Sequence, residues 1–172
     1  CTGIDRDFVP ADGGVEYEFS PYTYDDPGQQ FGPKANELWK PVIAAVDGIA
    51  CGGAFYLLGE VDFIIATEAS RFFDPHVTYA MPAVYEPLLM LHRGMPFGEV
   101  LRMTLLGNHE RMTAARAHQI GLVSEVVEHD RLMERAREVA ALVNRNAPLA
   151  VRGTRLAIRK GIDLPLHEAE IM

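Results

Sequence analysis

Cysteine is scarce in this 172-residue chain, which holds only Cys1 and Cys51. Two thiols with no CxxC pair and no Cys/His cluster exclude a disulfide framework and lack the spacing of a zinc site. No metal is expected, and reduced thiols in a cytoplasmic protein are the economical reading. Long apolar runs are missing as well. Although 48% of the residues are hydrophobic, no stretch approaches the ~18 uninterrupted apolar residues of a membrane span, and the start lacks a basic-then-apolar leader layout. No membrane partner is expected.

Basic residues are sparse in the first part of the chain. Residues 1–70 contain three (Arg6, Lys34, Lys40) against twelve acidic ones, whereas residues 71–172 contain thirteen against twelve, so the formal charge of −8 resides in the first part. Sequence-independent nucleic-acid binding depends on a basic face, so no nucleic-acid partner is expected. A small anion held by a few local donors is compatible with this balance. Neither G-x-x-x-x-G-K-[ST] nor G-x-G-x-x-G occurs, so the nucleotide-binding folds lack their fingerprints.

The length and composition suit one globular domain with a sizeable core. The first residue is Cys rather than Met, and the sequence stops inside the helix-like stretch from Leu166 to Met172. It is therefore expected to be a piece of a longer chain. Residues 7–36, rich in Gly, Pro, Asp and aromatics without a period of 2 or 3.6, read as a long loop. Its aromatics favour a lid that packs on something.

At Pro41 the character changes. Pro41-Val42-Ile43-Ala44-Ala45-Val46-Asp47-Gly48 reads as a strand buried on both faces. Ile49 to Gly59 reads as a small-residue turn opening a short apolar helix, and Val61 to Ala66 as a second buried strand. Strand, glycine turn, helix and strand make a parallel crossover, which predicts an α/β fold. Beyond residue 84 helices dominate. Phe97 to Leu106 ends at Gly107, Thr113 caps Ala114 to Ile120, and Leu122 to Val127 forms another strand. Asp130 is placed to cap Arg131 to Asn144, whose apolar stripe is Leu132, Ala136, Val139, Leu142 and Val143. Pro148 suits the first turn of a last helix.

The turn Ala50-Cys51-Gly52-Gly53-Ala54 carries chemical content. Small residues leave the backbone bare, and N–H groups at a helix start have no intrahelical acceptor, so such a turn can hold a phosphate or a developing oxyanion. Tight strand–helix packing without a ligand is the alternative from the glycine pair alone.

Several segments together resemble the crotonase superfamily, the enoyl-CoA hydratases, isomerases and relatives. They are Lys40 to Ala54, Asp62-Phe63-Ile64-Ile65-Ala66, Arg71-Phe72-Phe73-Asp74-Pro75, Leu105-Leu106-Gly107, Met112 to Ala117 and Ile120 to Val127. Thr2-Gly3-Ile4-Asp5 resembles the family's A-G-x-D segment. The resemblance implies a crotonase-like layered ββα spiral with C-terminal helices. It implies a core over residues 1–128 and a helical region over residues 129–172, with the first strands and last helices outside this sequence. It also implies an acyl-CoA thioester substrate, no cofactor beyond the coenzyme A of that substrate, and a homotrimer or dimer of trimers. Carried over by position, the thioester oxyanion hole consists of the backbone N–H groups of Ile4 and Gly53, with Thr2, Gly3, Asp5, Ala50, Gly52 and Pro75 beside the substrate.

The acid/base residues depart from the family. Its hydratases place glutamates where this chain has Tyr56 and His76. Hydration needs one group to activate water and another to deliver a proton, so that mechanism does not transfer directly. Three substitutes are available. Glu86 lies where the family has a loop facing the acyl group and is the favoured base. His76 titrates near neutrality and comes second. Tyr56 can donate a hydrogen bond. Asp74 reads as a turn former before Pro75, and Cys51 as a small apolar filler. Two other functions fit the same residues: a non-catalytic acyl-CoA-binding subunit, and a thioester hydrolase or C–C bond-cleaving enzyme.

Overall fold

A computed structural model of the chain describes Cys1 and residues 31–169. The apolar stretch after Pro41 forms β1 (Ile43–Val46) and, past Asp47 and Gly48, β2 (Ile49–Cys51). Gly48 makes this corner with a φ of +76°, which glycine adopts without penalty. Then come α1 (Ala54–Glu60), β3 (Phe63–Thr67) and β4 (Arg71–Phe73). β1 pairs in parallel with β3, and β2 in parallel with β4. Each consecutive strand pair thus sends its first member to one sheet and its second to another, and α1 carries the chain up to the next layer.

After β4 come a 3-10 turn (His76–Tyr79), α2 (Tyr85–His92) and α3 (Phe97–Leu105). β5 (Met112–Thr113) runs antiparallel to β4, and α4 (Ala114–Gln119) leads to β6 (Glu125–Val127), parallel to β3. The result is two three-stranded sheets ordered β1-β3-β6 and β2-β4-β5. This is the layered α/β spiral expected from the sequence, followed by α5 (Leu132–Asn144), α6 (Pro148–Gly161) and α7 (Leu166–Ala169).

Hydroxyl groups tie the corners of successive layers. The buried Thr67 hydroxyl bonds Asp47 Oδ1 at 2.9 Å and Ser70 Oγ at 3.1 Å, and Ser70 donates to the Val46 carbonyl. Between the sheets and helices lies a core containing Phe55, Ile64, Phe72 and Met90, all fully buried. Each such side chain contributes about 1.5–3 kcal/mol through removal from water.

A second anchor holds the C-terminal helices. Asp62, at the mouth of β3, accepts from the Val42 main chain (2.8 Å), Arg155 Nε (2.7 Å) and an Arg159 guanidinium nitrogen (3.1 Å). Arg159 and Arg93 both donate to the Val61 carbonyl as well. Burial and the nearby Arg159 charge lower the affinity of the Arg93 guanidinium for its proton. Arg155 and Arg159 lie on α6, and Arg93 ends α2.

Several boundaries differ from expectation. Ile49–Cys51 is a strand, because it finds a partner in β4, and the turn is confined to Gly52 and Gly53. β1 is half-buried along its length rather than buried on both faces. Leu122 and Val123 are buried but precede β6, with the Ser124 N–H donating to the Ile64 carbonyl. Asp130 does not cap α5. It sits within a 3-10 turn (His129–Arg131), and α5 starts at Leu132, the one buried member of the expected stripe among the described residues. Thr113 does cap α4, accepting from the Arg116 N–H at 3.2 Å, and Pro148 opens α6. The lid expected over residues 7–36 lies outside the described residues apart from its last six positions.

Candidate active site

The glycine turn, the end of β4 and the start of α2 converge. Cys1 lies beside β2, its amino group donating to the Ile49 carbonyl (2.7 Å) and its carbonyl accepting from the Cys51 N–H (3.1 Å). Gly52 has a φ of +51°, and a Cβ on it would stand 3.5 Å from Pro75 Cδ and 3.8 Å from His76 Cε1. A glycine here permits the turn through its positive φ, and the Pro75–His76 segment packs beside it at ordinary van der Waals distance. Gly53 follows as the N-cap of α1 and is more exposed than Gly52.

Asp74, Pro75 and His76 leave β4 as an Asx turn. Asp74 Oδ1 accepts the His76 main-chain N–H at 3.1 Å, the side-chain-to-backbone bond that Asp makes two residues on. The same oxygen lies 2.5 Å from His76 Nδ1. On the far side of the ring, His76 Nε2 faces Glu86 Oε1 at 3.5 Å. The Asp74 and Glu86 side chains are 0% and 5% exposed, whereas His76 is 24% exposed and reachable from solvent.

Glu86 reaches this point from the first turn of α2, where a carboxylate also meets the positive end of the helix. Pro87 follows it at no cost in hydrogen bonding, since first-turn N–H groups have no intrahelical acceptor. Tyr56 on α1 packs its ring against Tyr85, centroids 5.4 Å apart, and so seats the start of α2 against α1.

The geometry brings together Gly52, Pro75, His76 and Glu86, with Gly53 next in the chain and Tyr56 packed on Tyr85 at the start of α2. Ala50 is buried in β2. Thr2, Gly3, Ile4 and Asp5 lie outside the described residues. Asp74 is more than the turn former expected from sequence: its second bond goes to the His76 ring. The Asp-Pro-His spacing was the available signal for that contact. Among the described residues, a cleft of about 640 Å³ between the Val61–Phe63 segment and α6 includes none of these side chains.

Cys51, beside the glycines, is 4% exposed. Burial pushes its thiol pKa up, which works against thiolate formation. Iodoacetamide at pH 8 is expected to leave Cys51 unmodified in the folded protein and to alkylate it in urea, as read by peptide mass spectrometry. Rapid native alkylation would instead mark Cys51 as a reactive thiol.

Residues 19–171 match the family model described as enoyl-CoA hydratase/isomerase. The chain belongs to this family. It is 35% identical over 167 residues to the (E)-benzylidenesuccinyl-CoA hydratase of Thauera aromatica, a match covering 97% of this chain and 62% of that protein. It is also 35% identical over 149 residues to the carnitinyl-CoA dehydratase of Salmonella typhi, covering 83% of this chain and 56% of the relative. Among solved structures, an enoyl-CoA hydratase/isomerase from Mycobacterium paratuberculosis superposes with a TM-score of 0.85 at 50% identity, covering 99% of this chain and 65% of that one. The chain thus spans less than two thirds of the length of these relatives. The enoyl-CoA hydratase/isomerase fold accounts for the two stacked sheets. No helix among the described residues is long and apolar enough to cross a membrane.

Proposed function

We infer that this chain carries the reacting centre of an acyl-CoA hydro-lyase, which adds water to, or removes it from, a double bond conjugated to the thioester. The observation that carries the reading is the buried Glu86 carboxyl group facing His76 Nε2 at 3.5 Å beside the glycine turn. Two titratable groups this close can serve one water molecule. One takes its proton as the C–O bond forms at the β-carbon, and the other returns a proton to the α-carbon. Glu86 is the base, and His76 exchanges the proton with it. Tyr56 supports α2 through its ring contact with Tyr85.

Between those steps the electron pair of the double bond resides on the thioester oxygen as an enolate. The N–H groups of Gly53 and Ile4 hold it, because fixed donors stabilise charge where it develops. The place of Cys1 in the β2 ladder supports Ile4 in this role. Three residues span up to about 10 Å, enough to bring Ile4 from Cys1 to the glycine turn. Thr2, Gly3, Asp5, Ala50, Gly52 and Pro75 line the acyl side. Coenzyme A enters only as part of the substrate. Phe97 and Leu105 on α3, 67% and 65% exposed, suit a trimer contact.

The test is to incubate the protein with a panel of enoyl-, dienoyl- and β-keto-acyl-CoA thioesters and read products by mass spectrometry. A gain or loss of one water is expected on an enoyl or β-hydroxyacyl thioester. Free coenzyme A without a hydrated product would point to hydrolysis or C–C cleavage, and binding without turnover to a non-catalytic subunit.

A further inference from the structure

The proposed reaction leaves Asp74 without a role, yet its setting is costly. Its side chain is fully buried, and every hydrogen bond it makes among the described residues goes to His76, one to the main chain and one to the ring. Its second oxygen, Oδ2, is buried without a hydrogen-bond partner among the described residues. A buried carboxylate is expensive unless it is paired. Turn formation alone asks only for the main-chain bond, which Asn or Ser would also supply. The bond to the ring is what calls for an acid.

We propose that Asp74 is a positioning residue, holding His76 as the Nδ1–H tautomer with Nε2 turned toward Glu86. This rests on the reading of His76 and Glu86 as the acid/base pair. Asp74 Oδ1 already accepts the His76 main-chain N–H, and as a carboxylate it accepts from Nδ1 as well, with Nδ1 the donor. A neutral imidazole that donates from Nδ1 presents a lone pair at Nε2, here 3.5 Å from Glu86 Oε1. One proton can then pass between Nε2 and the Glu86 carboxyl group. In the opposite tautomer an N–H would point at Glu86 and remove that acceptor. The lever arm is short, because only Pro75, with its ring-restricted φ, separates the two residues.

Asp74, His76 and Glu86 also present ligand-type atoms within 4.8 Å of one another. Two ligands of one ion with bonds of ~2.0–2.2 Å stand roughly 3 Å or more apart. The 2.5 Å between Asp74 Oδ1 and His76 Nδ1 is closer than two ligands of one ion stand and is the contact of a hydrogen-bonded pair. The trio is therefore arranged to hold a proton.

Two measurements test the proposal in the full chain. With 15N-labelled histidine, long-range 1H–15N spectra of the wild-type protein are expected to show His76 protonated at Nδ1 when neutral. A neutral His76 protonated only at Nε2 overturns the proposal, and this result requires no variant to fold. In Asp74→Asn, which retains the turn acceptor but loses the charge, kcat is expected to fall ~10²–10⁴-fold with little change in KM. The fall should largely vanish when Asp74→Asn is placed in a Glu86→Gln background, since groups acting as a unit are non-additive. Equal falls in both backgrounds indicate a structural role and overturn it. Full turnover in Asp74→Asn with Glu86→Gln inactive removes this proposal alone, whereas full turnover in Glu86→Gln removes the acid/base reading and the proposal with it. Activity lost to a chelator and restored by a divalent ion overturns the proton-holding arrangement.

Discussion

Glu86→Gln is expected to lower kcat by ~10²–10⁴-fold, the contribution of a positioned acid/base group, which corresponds to about 3–5 kcal/mol of barrier. Gln matches Glu in size and retains a carbonyl oxygen toward His76, so the packing at the start of α2 is preserved. What it loses is the ability to take and return a proton. Acyl-CoA binding, measured by calorimetry with a non-reacting thioester, should change little, because the proposed contacts to the thioester oxygen come from main-chain groups. An undiminished kcat would remove Glu86 from its role. An equal loss of binding and turnover would make it a substrate-holding residue.

The largest effect on stability is expected at Asp62, far from the reacting atoms. Its carboxylate is 14% exposed and pairs with Arg155, itself 8% exposed, and with Arg159. Asp62→Ala leaves those guanidinium groups near Arg93 without their counter-charge and leaves the Val42 N–H without its acceptor. Removing one partner of a buried pair costs about 3–5 kcal/mol, which should lower Tm by roughly 10 °C for a chain of this size. Asp62→Asn, which retains an acceptor for Val42, should fall between the two. A shift of less than about 2 °C for Asp62→Ala would mean that the pair behaves as an exposed one. The predicted damage is local to the seat of α6, so kcat at low temperature should survive.

The two substitutions separate what could be read from the chain and what could not. The α/β elements were legible because their signals are local, and their arrangement as a spiral came from the family resemblance. Apolar runs of strand length, glycines at the corners and a capping Thr113 specify their elements wherever they occur. Boundaries failed where a distant partner decided them. Ile49 to Cys51 reads as part of a turn by composition but pairs with β4, and Asp130 reads as a cap but lies in a separate turn.

The site divides along the same line. The glycine turn after β2 followed from residue identities and their order, whereas the loss of both hydratase glutamates and the candidacy of Glu86 and His76 followed from the family resemblance. Those identities left a histidine, a tyrosine and a carboxylate as separate substitutes spread over thirty positions. Tertiary packing set their neighbours. The Asx turn after β4 and the seating of α2 on α1 set His76 against Glu86, packed Tyr56 on Tyr85 and placed Asp74 Oδ1 against the His76 ring. A hydrogen bond depends on tenths of an ångström and on direction, and between residues on different elements that geometry is fixed only when the elements pack. The chain by itself therefore determined which chemical groups are available and which are missing. Only the folded arrangement decided which of them lie side by side.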